Sequence, residues 1–258
     1  MSIYEHFRKE ERTFIDHVLE WKQQVEYSYT SKLTDFLDPR EQYIVRSLVG
    51  GNDEINVSFF GGHDTSERKR ALLVPAYVEP MEDDFSLLLL EVKYASKFHT
   101  ITHPQLLGAL MGIGLKRQKY GDIIISNDAV QLVVSKEVAS FVEMNVTSVG
   151  RAKVAIESIP FSTIHTVKEV WQEGRGTITS FRLDVVLAEI FHLSRQKVQM
   201  LIKGGAVKVN HKIVEQPSFE CGEDDLFSVR GYGRCKMLSI EGQTKRDKWK
   251  ITYGLQKN

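Results

Sequence analysis

The stretch that decides the fold is RLDVVLAEIFHLSRQKVQMLIKGGAVKVNHKIVEQPSFECGEDDLFSVRGYGR, residues 182–234. It opens with a short helix from near Arg182-Leu183-Asp184, on which Leu183, Leu187 and Ile190 or Phe191 fall on one buried face. Ser194 caps a second helix, Arg195 to Lys203, which ends at Gly204-Gly205. Val198, Leu201 and Ile202 point inward from it, while Arg195, Gln199 and Lys203 recur at every fourth position as one polar, basic stripe. Ala206 to Val214 predicts a strand, a tight turn and a strand, with Asn210 tolerating the left-handed backbone such a turn needs. Beyond Pro217 and an acidic loop (Glu223, Asp224, Asp225), Leu226 to Arg230 is a further strand, followed by Gly231-Tyr232-Gly233-Arg234.

Charge sets this end apart. The 258 residues hold 34 Lys+Arg and 34 Asp+Glu, a net of zero. Arg182 to Asn258 holds 14 basic and 9 acidic residues, and the remainder 20 and 25, so a neutral total hides a basic C-terminal end that suits a polyanionic partner. With 42% hydrophobic and 26% charged residues, the composition is that of a soluble globular protein long enough for two or three domains. The longest apolar runs, Leu87–Leu90 and Ile123–Ile125, are strand-sized and far short of the roughly 18 residues of a membrane span. MSIYEHFRKEER at the N-terminus is charged from its start and has no secretory core, and Cys221 and Cys235 make neither a disulfide framework nor a metal cluster. The expectation is a cytoplasmic monomer, without cofactor or metal.

Upstream, Phe7, Phe14, Val18, Trp21 and Val25 share one helical face. Asp38-Pro39-Arg40-Glu41 starts a second helix with a capping box, which stops at Gly50-Gly51. Ile55, Val57 and Phe59 alternate as a half-buried strand. The charged run His63 to Arg70 reads as a turn or short helix, and Ala71 to Tyr77 as extended. In the middle, Leu87–Tyr94 is a strand, Thr102 to Gly112 a helix, Asp122–Ser126 and Val130–Ser135 strands joined by Asn127-Asp128-Ala129, Lys136 to Thr147 a helix burying Val138, Phe141, Val142 and Val146, and Lys153–Ile159 a last strand. That β-α-β-β-α-β order is the ferredoxin-like split unit. The class is α+β: an N-terminal helical region with short strands over 1–80, an RRM-like domain over 81–160, a connector over 161–180 with a turn at Gly174-Arg175-Gly176, and a C-terminal domain over 181–258.

The run RLDVVL, LSRQKVQMLIKGGAVKVNHKIVEQP and GEDDLFSVRG resembles the αL RNA-binding domain first seen in ribosomal protein S-four, with His211 where the turn usually has Gly. FFGGHDTSERKRA at 59–71, HPQLLGALMGIGLKRQKYGDI at 103–123 and VRGYGR at 229–234 further resemble the bacterial YlmH family over nearly the whole chain. The resemblance implies an N-terminal helical region, an RRM-like RNA-binding domain and the αL domain. It also implies binding to ribosomal RNA, tRNA or the large ribosomal subunit, a role in rescuing stalled translation, and a link to cell division. A division-associated interaction protein is the alternative function.

Phosphates and 2′-hydroxyls call for cations and orientable donors on a rigid surface. Candidates are Arg182, Ser194, Arg195, Lys197, Gln199, Lys203, Lys208, Asn210, Lys212, Arg230 and Arg234, with a secondary set of Lys116, Arg117, Lys119, Arg68, Lys69 and Arg70. The competing reading of Arg182 and Asp184 is an internal ion pair that orients the first helix. The middle domain lacks the aromatic signature of a standard RRM, so base stacking on its sheet is not expected. No enzyme is expected. Arg182-Leu183-Asp184 matches the catalytic triplet of pseudouridine synthases but follows Phe181, not Gly, and lies inside the αL domain. His99 and His103 lack carboxylate companions for a metal, Gly112-Ile113-Gly114 lacks the rest of a dinucleotide fingerprint, and no nucleotide-binding signature precedes the αL domain.

Overall fold

The computed structural model describes residues 3–50, 54–126, 129–165 and 171–256. Contacts divide the chain into two units, Met1–Val167 and Lys168–Asn258.

The first unit opens with helix α1, Arg12–Ser28. Phe7 lies ahead of this helix, not on it, yet still packs with Phe14, Val18, Trp21 and Val25 in one core. Strand β1, Lys32–Leu37, follows, where the sequence reading had none. Helix α2, Pro39–Val49, forms as its cap dictates: the Asp38 carboxylate accepts from the Glu41 N–H at 2.9 Å and the Glu41 carboxylate from the Asp38 N–H at 2.9 Å. It ends at Gly50, and Gly51 is outside the described residues. Strands β2, Ile55–Phe60, and β3, Lys69–Pro75, complete an antiparallel sheet of order β1-β3-β2. Lys69 and Arg70, read as the end of a charged turn, thus begin the central strand of this sheet.

The ferredoxin-like order is present. Strand β4, Leu87–Tyr94, is followed by helix α3, His103–Gly112, strands β5, Tyr120–Ile125, and β6, Val130–Ser135, helix α4, Ala139–Asn145, and strands β7, Ser148–Val149, and β8, Ala152–Ile159. They form an antiparallel sheet of order β5-β6-β4-β8-β7. Asn127 and Asp128 of the expected β5–β6 connection are outside the described residues. Val142 and Val146 are buried as expected, but Phe141, one residue round the helix from Val142, is 43% exposed.

The two faces of this sheet have different fates. Leu90, Val92, Leu132 and Val134 pack against Leu106 and Leu110 of α3 and Ala139 and Val142 of α4. On the opposite face Leu89 and Val133, cross-strand partners, join Phe36 of β1 and Leu72 and Val74 of β3 in a second core. The face that an RRM uses to stack bases is therefore covered here by the N-terminal sheet.

The second unit begins with strand β9, Gln172–Ile178, which runs straight through Gly174-Arg175-Gly176 where a turn was expected. Its glycines serve close packing: a Cβ on Gly174 would meet the Tyr253 ring at 2.6 Å, and one on Gly176 the Glu189 side chain at 2.8 Å. Helices α5, Leu183–Phe191, and α6, Arg195–Lys203, are followed by strands β10, Val207–Val209, β11, Lys212–Ile213, β12, Leu226–Val229, β13, Gly233–Gln243, and β14, Trp249–Gln256. The sheet order is β11-β10-β12-β13-β14-β9. One sheet face, carrying Val207, Val209, Phe227, Cys235, Met237 and Ile251, closes a core with Leu183, Leu187 and Ile190 of α5 and Val198 and Ile202 of α6. The hairpin turn between β10 and β11 places Asn210 at φ 47° and His211 at φ 68°, so His211 takes the left-handed conformation usually given to Gly.

Candidate nucleic-acid interface

The centre of the site is Asp184, in the first turn of α5 and fully buried. Its carboxylate accepts from Arg182 Nε at 3.0 Å and Nη2 at 3.2 Å, from Arg195 Nε at 2.9 Å and from Gln199 Nε2 at 2.6 Å. Burial pushes the carboxyl upward, but the bonds from Arg182, Gln199 and Arg195 outweigh it and hold the group at about 2. Arg182 and Arg195 are anchored from below, yet their side chains remain 40% and 54% exposed. The four-residue spacing of Arg195 and Gln199 lets both reach one carboxylate from α6. The internal-pair reading of Arg182 and Asp184 is thus present in the structure, and larger than a pair. The choice of cations alone leaves out Asp184 as their organiser; an Asp in the first turn of a buried helix, followed by an Arg-x-x-x-Gln stripe, is the signal.

The rest of the α6 face follows. Ser194 caps the helix by accepting from the Lys197 N–H at 3.3 Å. Lys197 Nζ lies 5.5 Å from the centre of the Tyr232 ring, which in turn packs on Phe191. Lys203 is exposed in the last turn, and Lys212 is exposed on edge strand β11, opposite the inward-facing Val209. Arg230 is exposed just past β12.

Three candidates fall elsewhere. Lys208, Ser228 and Arg234 are cross-strand neighbours in one row, and they alternate with the buried Val207, Val209, Phe227, Val229 and Cys235. Lys208 and Arg234 therefore sit on the sheet face turned away from α5 and α6. Asn210 is a brace: its Nδ2 donates to Asp225 at 2.8 Å and its Oδ1 accepts from the Leu226 N–H at 2.9 Å.

The secondary set is mostly structural. Arg68 and Arg70 are each 5% exposed. Arg68 Nη2 donates to the Phe36 carbonyl at 3.0 Å, and Arg70 to the carbonyls of Thr34, Phe85 and Ser86 at 2.6, 3.2 and 3.3 Å. The Arg68 guanidinium thus ties back to β1 within the N-terminal sheet and that of Arg70 joins this sheet to the turn at Phe85–Ser86, so both are withdrawn from the candidate interface. Arg117 donates to the carbonyls of Tyr120 and Gly121 and lies 4.4 Å from the Tyr120 ring centre; burial lowers it to about 10. Lys119 bridges Asp35 at 2.7 Å and Glu137 at 3.1 Å, and Lys69 donates to the Asp64 carbonyl. Lys116 stands exposed, and among the described residues it alone of this set has no such tie.

Anchored guanidiniums on a capped helix, beside a rigid hairpin, define the class: a protein carrying an S4 domain, whose family model matches residues 181–227. Two further models match upstream, "YlmH, N-terminal" over residues 10–78 and "Putative RNA-binding domain in YlmH" over residues 80–163. The chain is 52% identical over 256 residues to the ribosome-associated protein quality control protein P2 of Bacillus subtilis (strain 168), covering 99% of both chains. It belongs to the YlmH family. A solved structure titled cell division protein ylmH from Streptococcus pneumoniae matches with a TM-score of 0.54 and 32% identity, over 62% of this chain and 98% of that one.

Proposed function

We propose that this chain is a non-catalytic RNA-binding factor of the ribosome, acting on ribosomal RNA, tRNA or both at the large subunit in the quality control of stalled translation. The observation that carries the reading is the pair of Asp184-anchored, half-exposed guanidiniums of Arg182 and Arg195, flanked by Lys197 and Lys203. Such donors are oriented before RNA arrives, which lowers the ordering cost of binding phosphate. The name of the Bacillus relative supports the ribosomal setting. The covered sheet face of the RRM-like domain supports placing the principal contact on the S4 domain. Asp184, buried and held by three side chains, is poorly placed to be a nucleophile, which supports a binding role over catalysis. We take the working form to be a cytoplasmic monomer.

Sedimentation of cell lysate tests this. The protein should co-migrate with the large subunit at low salt, and Arg195→Glu with Lys203→Glu should release it to the free fractions. Wild-type protein confined to the free fractions would sink the proposal. The streptococcal structure's title favours a second reading, in which a division protein is the governing partner; capture of that partner after ribonuclease treatment would support it.

A further inference from the structure

From the C-terminal hairpin we infer that a second RNA-phosphate contact is made by Lys245, Arg246 and Lys248 at the tip between β13 and β14, continuing the S4 surface past Arg182. The inference rests on the RNA-binding reading above.

The tip, residues 244–248, lies beyond the last ladder pair, Gln243 with Trp249, and outside the part of the chain that the S4 model matches. It is a built loop. The Thr244 N–H donates to the Lys248 carbonyl at 2.7 Å, and the Thr244 hydroxyl accepts from the N–H groups of Arg246 and Lys248 at 3.3 and 3.2 Å. Lys245, Arg246, Lys248 and the adjacent Lys250 are all exposed, and among the described residues no carboxylate pairs with them. Asp247 is the one acid in the stretch. Four cations in six residues on a fixed loop make a local positive field without a structural use for it.

The ladder pair at the foot of the loop places this charge. Trp249 packs on Phe181 with ring centres 5.1 Å apart, and Phe181 immediately precedes Arg182. The foot of the loop thus packs on the residue that leads into the Asp184-anchored Arg182, and on the inference the tip's cations follow the same RNA backbone. A lipid surface fits less well, because residues 241–248 (EGQTKRDK) include no apolar side chain to enter a bilayer interface.

The test uses the full chain and purified large-subunit ribosomal RNA, with affinity measured across a salt series. Replacing Lys245, Arg246 and Lys248 together by Ser should weaken binding about tenfold or more near physiological salt. It should also lower the slope of log affinity against log salt by about 2, as expected for roughly three lost phosphate contacts. Lys245→Arg with Lys248→Arg keeps the charge and should keep the affinity; thermal unfolding should be the same for all. A triple variant with wild-type affinity and slope, beside an Arg195→Glu/Lys203→Glu variant that loses binding, overturns the inference and leaves the proposed function standing. If neither variant changes affinity, the proposed function fails and the inference with it. Loss of retention on phosphatidylserine vesicles, with RNA affinity intact, assigns the tip to membrane and also overturns the inference.

Discussion

Asp184→Asn is the sharpest probe of the site. The carboxyl stands at about 2 in the fold against 3.8 for a free Asp. At about 1.4 kcal/mol per unit, its ionised form contributes about 2 kcal/mol of stability at neutral pH. The amide keeps the shape but turns one acceptor into a donor aimed at cations. Removing one partner of a buried ion pair costs about 3–5 kcal/mol when the other is stranded. Here Arg182 and Arg195 are half-exposed and can return to water, so the expected cost is the smaller figure, about 2–3 kcal/mol. Denaturant titration in a Trp21→Phe background, followed by the fluorescence of Trp171 and Trp249, both in the second unit, measures it. A depressed carboxyl stabilises above its unfolded value and loses that contribution as pH falls toward its folded value. The gap between wild type and variant should thus be constant from pH 7 to about 5, fall by about half near pH 3, and close toward pH 2. A variant within about 0.5 kcal/mol of wild type at pH 7, or a gap unchanged at pH 3, would refute the network's role.

Three further outcomes are expected. Arg70→Met should destabilise the first unit by about 3 kcal/mol in denaturant titration, because it strands the carbonyls of Thr34, Phe85 and Ser86, and it should leave RNA affinity unchanged. Asp122 accepts the N–H groups of Glu67 and Arg68 at 2.7 and 3.0 Å, yet burial raises it to about 6. Its ionisation therefore opposes folding, so the first unit should lose stability as pH rises from about 4 through 6, and Asp122→Asn should flatten that part of the profile. Asn210→Ala removes both bonds of the brace at a left-handed position and should cost about 2–3 kcal/mol, measured by thermal unfolding of the second unit.

Where a signal was local, the sequence was legible. The Asp38–Glu41 capping box, the apolar run Leu87–Leu90 that opens strand β4 and the Ser194 cap are each decided within a few residues. Strand β1 was missed because Asp35 and a register shift between Leu33 and Phe36 break its alternation; Asp35 is matched by Lys119, 84 residues away. Arg68 and Arg70 read as solvent-facing charge because their acceptors, the carbonyls of Phe36 and Thr34, are more than thirty residues upstream. Gly174 and Gly176 signalled a turn only until Tyr253 and Glu189 supplied the reason for a missing Cβ. Within the site, the cations of α6 were visible as a stripe, but the division of the hairpin residues between two sheet faces needed the register.

Side-chain pairing explains how a chain with no net charge keeps a cluster of exposed cations in its second unit. In the first unit most of the candidate cations are consumed: Arg68, Arg70 and Arg117 by carbonyls, Lys119 by two carboxylates. In the same unit Phe36, Leu72 and Val74 cover the sheet face that an RRM uses for bases. In the second unit the opposite choice is made. One buried carboxylate holds two arginines by their inner nitrogens and leaves their outer ends to solvent. Asp184 cancels one of those two charges, so in the proposed role the network would attract RNA at long range little more than a single arginine does. Its gain in that role is orientation, and long-range attraction would fall to the exposed lysines Lys197, Lys203 and Lys212. Neutral replacements at Arg195 and at Lys203 each remove one positive charge, so each should lower the slope of log affinity against log salt by about 0.7–0.9; Arg195 should cost more affinity at high salt, because its loss also takes away a pre-oriented donor.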